Sequence, residues 1–312
     1  MPVERKSLYS YYAPLYWPAW IALGLLRVIC WLPHRLGLGI GKLIGRVAHA
    51  FAAERRAVVR RNIELCFPEL TRDEQGRLAR RHFEALGMSV IEMGLGRWAS
   101  DEKLMALCRI DGLENLAAPQ REGKGVILLS AHFTTLEVSG RAIRISGTVF
   151  DAVYRRNRSE FVTEFLRSGR ERSATATIEK RDIKAMVRRL RDGIAVWYAP
   201  DQSYRRKGAT VVPFFGVPTM HTTATTTLAR LGNAVVVPFF PERTADGHYR
   251  LKILPALSDV PSDDPAADVR RYVAVLEENI RCCPEQYFWV HRKFKNLPEG
   301  YPDFYADLDA AK

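Results

Sequence analysis

Several common protein classes are excluded by what this chain lacks. Its 312 residues hold five cysteines, Cys30, Cys66, Cys108, Cys282 and Cys283, with no C-x-x-C pair among them. That odd, scattered set encodes neither a disulfide framework nor a zinc site, and a reducing compartment is expected. No G-x-S-x-G elbow is present, so a Ser-His-Asp hydrolase is unsupported. The stretch "GLGIGKL", Gly37 to Leu43, lacks the Ser or Thr that a phosphate-binding Walker A needs, and no strand precedes it. Its glycines are expected to let helices pack closely or to sit at a membrane interface. Repeats and low-complexity tracts are absent. Acidic residues are in deficit: 35 Asp and Glu face 47 Lys and Arg, a formal charge of +12. This excess favours anionic partners, whether nucleic acid, an anionic membrane surface or acidic ligands.

What is present starts with apolar residues, 47% of the chain, enough for a sizeable core. Near the N-terminus, "WPAWIALGLLRVICWL" from Trp17 to Leu32 carries one charge, Arg27, amid many aromatics. As a helix it would extend about 24 Å, slightly short of the hydrocarbon core of a bilayer. Residues 1–34 are therefore expected to be a membrane anchor, spanning or lying in the interface. Basic residues after it (Arg35, Lys42, Arg46, Arg55, Arg56, Arg60, Arg61) outnumber Arg5 and Lys6 before it, which places the bulk of the chain in the cytoplasm by the positive-inside rule. A buried helix of a soluble domain is the competing reading.

Residues 35–110 read as helical. Pro68 stops one helix, and Thr71 and Glu74 have capping-box spacing for the next, which runs through Leu78, Phe83, Leu86 and Val90 towards Trp98. From about 111 to 300 the pattern changes. Apolar strands in "GKGVILLSAH", "VFDAVYR", "IAVWYAP" and "GNAVVVPFFP" alternate with helical stretches at about 160–172 and 181–191. Continuous apolar strands between helices predict an α/β fold, a largely parallel sheet flanked by helices and preceded by the helical N-terminal region with its anchor. Residues 35–312 are expected to form one domain, helical over 35–110 and α/β over about 111–300.

Ligands of open α/β sheets bind beyond the carboxyl ends of the strands. His132 stands there, in "SAHFTTLEVSG", with Glu137 five residues on. Two readings stand side by side. Thr134 and Glu137 have capping-box spacing, which makes Glu137 a helix cap and His132 a junction residue. Alternatively the carboxylate fixes the imidazole tautomer while the other ring nitrogen takes a proton. With no protein nucleophile in view, such a pair suits direct transfer, the base deprotonating an acceptor hydroxyl that attacks an activated acyl group. Neither metal nor redox cofactor is called for.

The H-x4-E of "AHFTTLE", together with "RNIELCFPEL", "VYRRN", "GRER", "WYAPDQSYRRKGATVVPFFGVPT" and "EQYFWVHRKFK", resembles the bacterial lipid A late acyltransferases, the lauroyl and myristoyl transferases of the lysophospholipid acyltransferase superfamily. The resemblance runs from about residue 31 to 300. It implies an inner-membrane enzyme with its catalytic domain on the cytoplasmic side, moving a fatty acyl chain from acyl carrier protein to a hydroxyl of a Kdo-bearing lipid A precursor. It implies His132 as general base, Glu137 as its orienting partner, and Arg170 and Asp201 as substrate-binding residues. Arg170 would hold a phosphate or stabilise charge on the thioester carbonyl; Asp201 would orient an arginine or bind substrate. Without the resemblance, Arg170 is one of a basic group with Arg155, Arg156, Arg158, Arg167 and Arg172, and Asp201 a cap after a strand. Acyl carrier protein and the lipid A precursor are both anionic, which fits the charge, and nucleic acid is not among the expected partners. Acylation of a glycerolipid or ornithine-type lipid is the alternative within the superfamily; a non-catalytic basic membrane-binding protein is the alternative outside it.

Overall fold

A computed structural model describes residues 7–155, 157 and 159–310. Arg5 and Lys6, and Arg156 and Arg158 of the basic group, lie outside the described residues. The N-terminal third is helical: α1 (Trp17–Ile29), α2 (His34–Phe51), α3 (Ala53–Cys66), α4 (Arg72–Trp98) and the short α5 (Asp101–Met105). Thr71 starts α4 through the expected capping box, with Glu74 bonding back to the Thr71 N–H at 2.8 Å.

The chain then alternates strands and helices through β1 (Cys108–Asp111), α6 (Leu113–Arg121), β2 (Gly125–Leu129), α7 (Leu136–Ile145), β3 (Phe150–Tyr154), α8 (Glu160–Arg170), β4 (Ala176–Glu179), α9 (Ile183–Arg191) and β5 (Ala195–Tyr198). A hairpin, β6 (Ala209–Phe214) with β7 (Val217–Thr222), leads to α10 (Ala224–Gly232), β8 (Ala234–Arg243), β9 (Tyr249–Ile253) and α11 (Pro265–Cys282). Seven strands form one sheet in the order β1-β9-β8-β2-β5-β3-β4. All neighbours are parallel except β8 and β9.

Every residue of β2 is buried, because helices cover both faces of the central strands. Ile127, Leu129 and Val196 meet side chains of α3, α9, α10 and α11, whereas Val126, Leu128 and Ala195 meet α5, α6 and α7. Helix α4 contributes to both layers, through Leu78 and Phe83 to one and Leu95 to the other. Its contact with α2 is made by glycine. A Cβ on Gly87 would lie 2.0 Å from the Gly41 carbonyl oxygen, and one on Gly45 would lie 2.1 Å from that of Phe83. Of the glycines of "GLGIGKL", Gly41 serves this close packing, a Cβ there lying 2.7 Å from the Met88 Cα, whereas a Cβ on Gly39 would meet nothing within 4 Å.

The apolar N-terminal segment forms a short helix. Helix α1 covers 13 residues, about 20 Å, and the chain turns at Cys30 to Leu32 before Pro33 opens α2. Among the described residues no helix is long and apolar enough to cross a membrane. The spanning alternative is therefore corrected: the helix ends at Ile29, inside the apolar run, and a turn follows before Pro33. Part of α1 packs inward, with Leu26 against Gly94 of α4, and Trp20 against Phe161 of α8. The opposite stripe, Trp17, Ile21, Leu25 and Val28, is exposed, as are Leu43, Val47 and Phe51 of α2.

Candidate active site

His132 leaves β2 at the carboxyl end of the sheet, in a loop clamped by the C-terminal segment. The Phe288 N–H donates to the His132 carbonyl at 3.0 Å, and the Thr134 N–H to that of Gln286 at 2.9 Å. The imidazole Nδ1 stands 2.6 Å from Oδ1 of Asp201, which follows β5, the strand beside β2. Asp201 is 2% exposed, whereas the imidazole keeps about a third of its surface open. Tyr287 donates its hydroxyl to Oδ2 of the same carboxylate at 3.1 Å, and the Lys293 ammonium donates to the Asp201 backbone carbonyl.

Burial by itself would raise the Asp201 carboxyl, but the adjoining His132 imidazole and Lys293 ammonium outweigh it and hold the group well below the usual carboxylate range. An ionised carboxylate only accepts hydrogen bonds, so Nδ1 carries the proton of the neutral ring and Nε2 is its basic nitrogen. Burial also lowers Lys293, to about 8, against the pull of Asp201.

Glu137 is placed differently from the expectation. Helix α7 starts at Leu136 with Thr135 as its N-cap, and no side-chain cap bond forms. The Thr134 hydroxyl is buried without a partner among the described residues, so the Thr134/Glu137 capping box is not made. Nor is Glu137 the carboxylate on the imidazole. From the first turn of α7 its Oε1 accepts two bonds from Arg170, at the last turn of α8: Nε at 3.1 Å and Nη2 at 2.7 Å. The Glu137 charge raises the Arg170 guanidinium above its ordinary value despite burial. Asp201, expected on an arginine or on substrate, instead takes the imidazole. All four side chains expected from the sequence thus fall into two pairs, Asp201 with His132 and Glu137 with Arg170, in place of the expected Glu137 with His132.

His132, Glu137, Arg170 and Ser173 line a cleft whose other walls are apolar, with Leu136, Phe150 and Trp197 among them. Asp201 lines a second, cationic cleft with Arg155, Ser203, His291, Lys293 and Lys295. The His291 ring lies 6.5 Å from that of His132, centroid to centroid, and burial, aided by His132, lowers its pKa to about 4. Tyr287 and Lys293 were missed by spacing arguments; their only signal was membership of the block "EQYFWVHRKFK". The chemistry on offer is a base with a fixed tautomer, a fixed guanidinium, and apolar and cationic clefts that meet at one His-Asp pair. Among the described residues no group of three or more His, Cys, Asp or Glu is placed to hold a metal ion.

A family model described as bacterial lipid A biosynthesis acyltransferase matches residues 5–296. The chain is 36% identical over 298 residues to the lipid A biosynthesis lauroyltransferase of Escherichia coli strain K12, covering 94% of this chain and 96% of that one. It is 35% identical to the lipid A biosynthesis palmitoleoyltransferase of the same strain, covering 94% and 95%. A lipid A biosynthesis acyltransferase of Haemophilus influenzae is 34% identical, again covering 94% and 95%.

Proposed function

The chain belongs to the bacterial lipid A biosynthesis acyltransferase family, and from that premise we propose that it transfers a fatty acyl chain directly from an acyl carrier protein thioester to a hydroxyl of a Kdo-bearing lipid A precursor. The observation that carries the mechanism is the 2.6 Å contact of buried Asp201 with His132, which lines a largely apolar cleft together with Arg170.

His132 Nε2 takes the proton of the acceptor hydroxyl, and Asp201 supports the imidazolium that forms. The acceptor oxygen bonds to the thioester carbonyl carbon. Arg170, fixed by Glu137 through Nε and Nη2, offers its remaining edge to the oxyanion. Collapse breaks the carbon–sulfur bond, and the departing sulfur recovers the proton from His132. An ester and a free carrier thiol result, with no change of oxidation state. Glu137 is thus a positioning residue for the guanidinium, in place of the imidazole partner its spacing implied.

The cationic cleft supports an anionic acceptor. Arg155 and Lys295 offer charge beside Asp201, and His291, kept neutral near pH 7, offers a hydrogen bond without adding charge. The exposed apolar stripes of α1 and α2, with Lys42 and Arg35 close by in sequence, support seating in the interface of the inner membrane on its cytoplasmic side, without a span.

The test is mass spectrometry of lipid products after incubation of detergent-extracted protein with acyl carrier protein thioesters and a Kdo-bearing tetraacyl precursor. Wild type should add one acyl chain and His132→Ala none. Addition to a glycerolipid but not to this precursor would replace the acceptor; equal addition by His132→Ala would remove the base.

A further inference from the structure

Lys293 is a buried cation beside the His-Asp pair, 4% exposed. It reaches Asp201 from the backbone: the ammonium donates to the Asp201 carbonyl, while the carboxylate oxygens are taken by His132 Nδ1 and the Tyr287 hydroxyl. The Phe214 ring turns its face to the ammonium, 4.4 Å from Nζ to the ring centre. Among the described residues Lys293 forms no direct ion pair with a carboxylate. The other titratable groups around it are Cys66 of α3, His221 of β7, Glu277 of α11 and the Tyr305 hydroxyl. Burial raises the Cys66 thiol and lowers the His221 imidazole, so both are uncharged near pH 7. Of the carboxylates, Asp201 attracts the ammonium more than Glu277 does. Although burial lowers Lys293 to about 8, it keeps its proton at neutral pH.

A buried carboxylate beside an imidazole favours the protonated ring. Unopposed, it does so before the acceptor arrives as well as after, and a ring that already holds two protons cannot take one from a hydroxyl. The base therefore needs the Asp201 charge for its tautomer and for the imidazolium that forms, and needs part of that charge offset at rest. We propose that Lys293 is a positioning residue that acts through Asp201: its ammonium offsets the pull of the carboxylate on His132, so that the ring meets the acceptor hydroxyl unprotonated. The inference rests on the reading of His132 as the general base. It gives a buried lysine that touches no reacting atom a part in the transfer, and it explains why a cation stands behind the dyad where an apolar side chain would cost less to bury.

Three substitutions separate charge from packing. Lys293→Met removes the charge and the donor, Lys293→Gln removes the charge and keeps an N–H donor, and Lys293→Arg keeps the charge. For each, and for wild type, kcat/KM of acyl transfer to the Kdo-bearing precursor is followed from about pH 5 to pH 9, where the acidic limb reports the base of the free enzyme. Thermal melts and blanks for thioester hydrolysis are run at every pH. Lys293→Met and Lys293→Gln should move the acidic limb to higher pH by about one unit, and recover to within about three-fold of wild type above it. Lys293→Arg should leave the limb near its wild-type position. A structural role alone lowers the melting temperature and leaves the limb unmoved. If the folded neutral variants keep the wild-type limb, move it down, or lose activity that no pH restores, Lys293 does not offset Asp201, while His132 stands as the base. If His132→Ala transfers as fast as wild type, the base reading falls and the role of Lys293 falls with it.

Discussion

The exchange of carboxylate partners makes Asp201→Asn the most informative single change. Asparagine keeps the shape and an acceptor oxygen for Nδ1 but removes the charge 2.6 Å from the imidazole. At an effective dielectric of about 20, two unit charges at that separation attract by roughly 6 kcal/mol at most. The ring keeps about a third of its surface open to water, which screens the attraction to roughly half. Losing roughly 3 kcal/mol from the state in which His132 holds the substrate proton costs about two decades in kcat, at roughly 1.4 kcal/mol per decade. KM should change little, because Asp201 supports a charge that exists only after the proton has moved. The assay is initial-rate acyl transfer with purified carrier thioester, for Asp201→Asn beside Glu137→Gln. The reasoning is refuted if Asp201→Asn stays within about three-fold of wild type in kcat, or if the whole loss is in KM.

Other outcomes are open to direct measurement. Arg170→Lys keeps the charge but cannot present the fork that bonds Glu137 twice, so kcat should drop by about 10²-fold with the fold intact by circular dichroism. His82 is fully buried, with Nδ1 2.9 Å from the Glu285 carbonyl oxygen, and burial lowers its pKa to about 4. A group depressed in the folded state costs stability as pH falls, so chemical unfolding should show roughly 3 kcal/mol lost between about pH 6.5 and pH 4 that a folded His82→Gln variant does not lose. For Asp201 the contribution is present above its unfolded value and declines below about pH 4; the stability advantage of wild type over Asp201→Asn should shrink on acidification there. Replacing Ile21, Leu25 and Val28 together by serine should cut co-sedimentation with anionic vesicles several-fold, while turnover of detergent-dispersed acceptor is retained.

The central layer was legible because its strands are buried on both sides and so read as unbroken apolar runs: "GVILL" and "AVWY" are β2 and β5. The capping box at Thr71 was equally plain, since both of its bonds are local. Strands β1 and β9 escaped notice because charged residues interrupt them, as "CRID" and "YRLKI", so that neither gives an unbroken apolar run. In the site, the chemical types of His132, Glu137, Arg170 and Asp201 could be read, but their pairing could not. The H-x4-E spacing brings Glu137 near His132 along the chain. Parallel pairing of β2 with β5 brings Asp201 near it in space, and the arrival of α8 gives Glu137 another partner. Tertiary pairing of this kind has no local signature.

The glycine seam between α2 and α4 has a mechanical consequence. Backbone meets backbone at Gly41, Gly45 and Gly87, leaving no side chain in between to flex. Helix α4 then continues unbroken to its far end, where a Cβ on Gly96 would lie 2.9 Å from the Glu137 carbonyl oxygen. Its contacts with the glycine face of α2 fall near its middle, at Phe83 to Met88, and from Gly87 to Gly96 it runs nine residues, about 14 Å, to the helix that holds Glu137. The separation of α2 from the helix that holds Glu137 is therefore a fixed length of the molecule. On the proposed function, with α2 seated in the membrane interface, a lipid whose hydroxyl lies at another depth must itself rise or sink to meet His132.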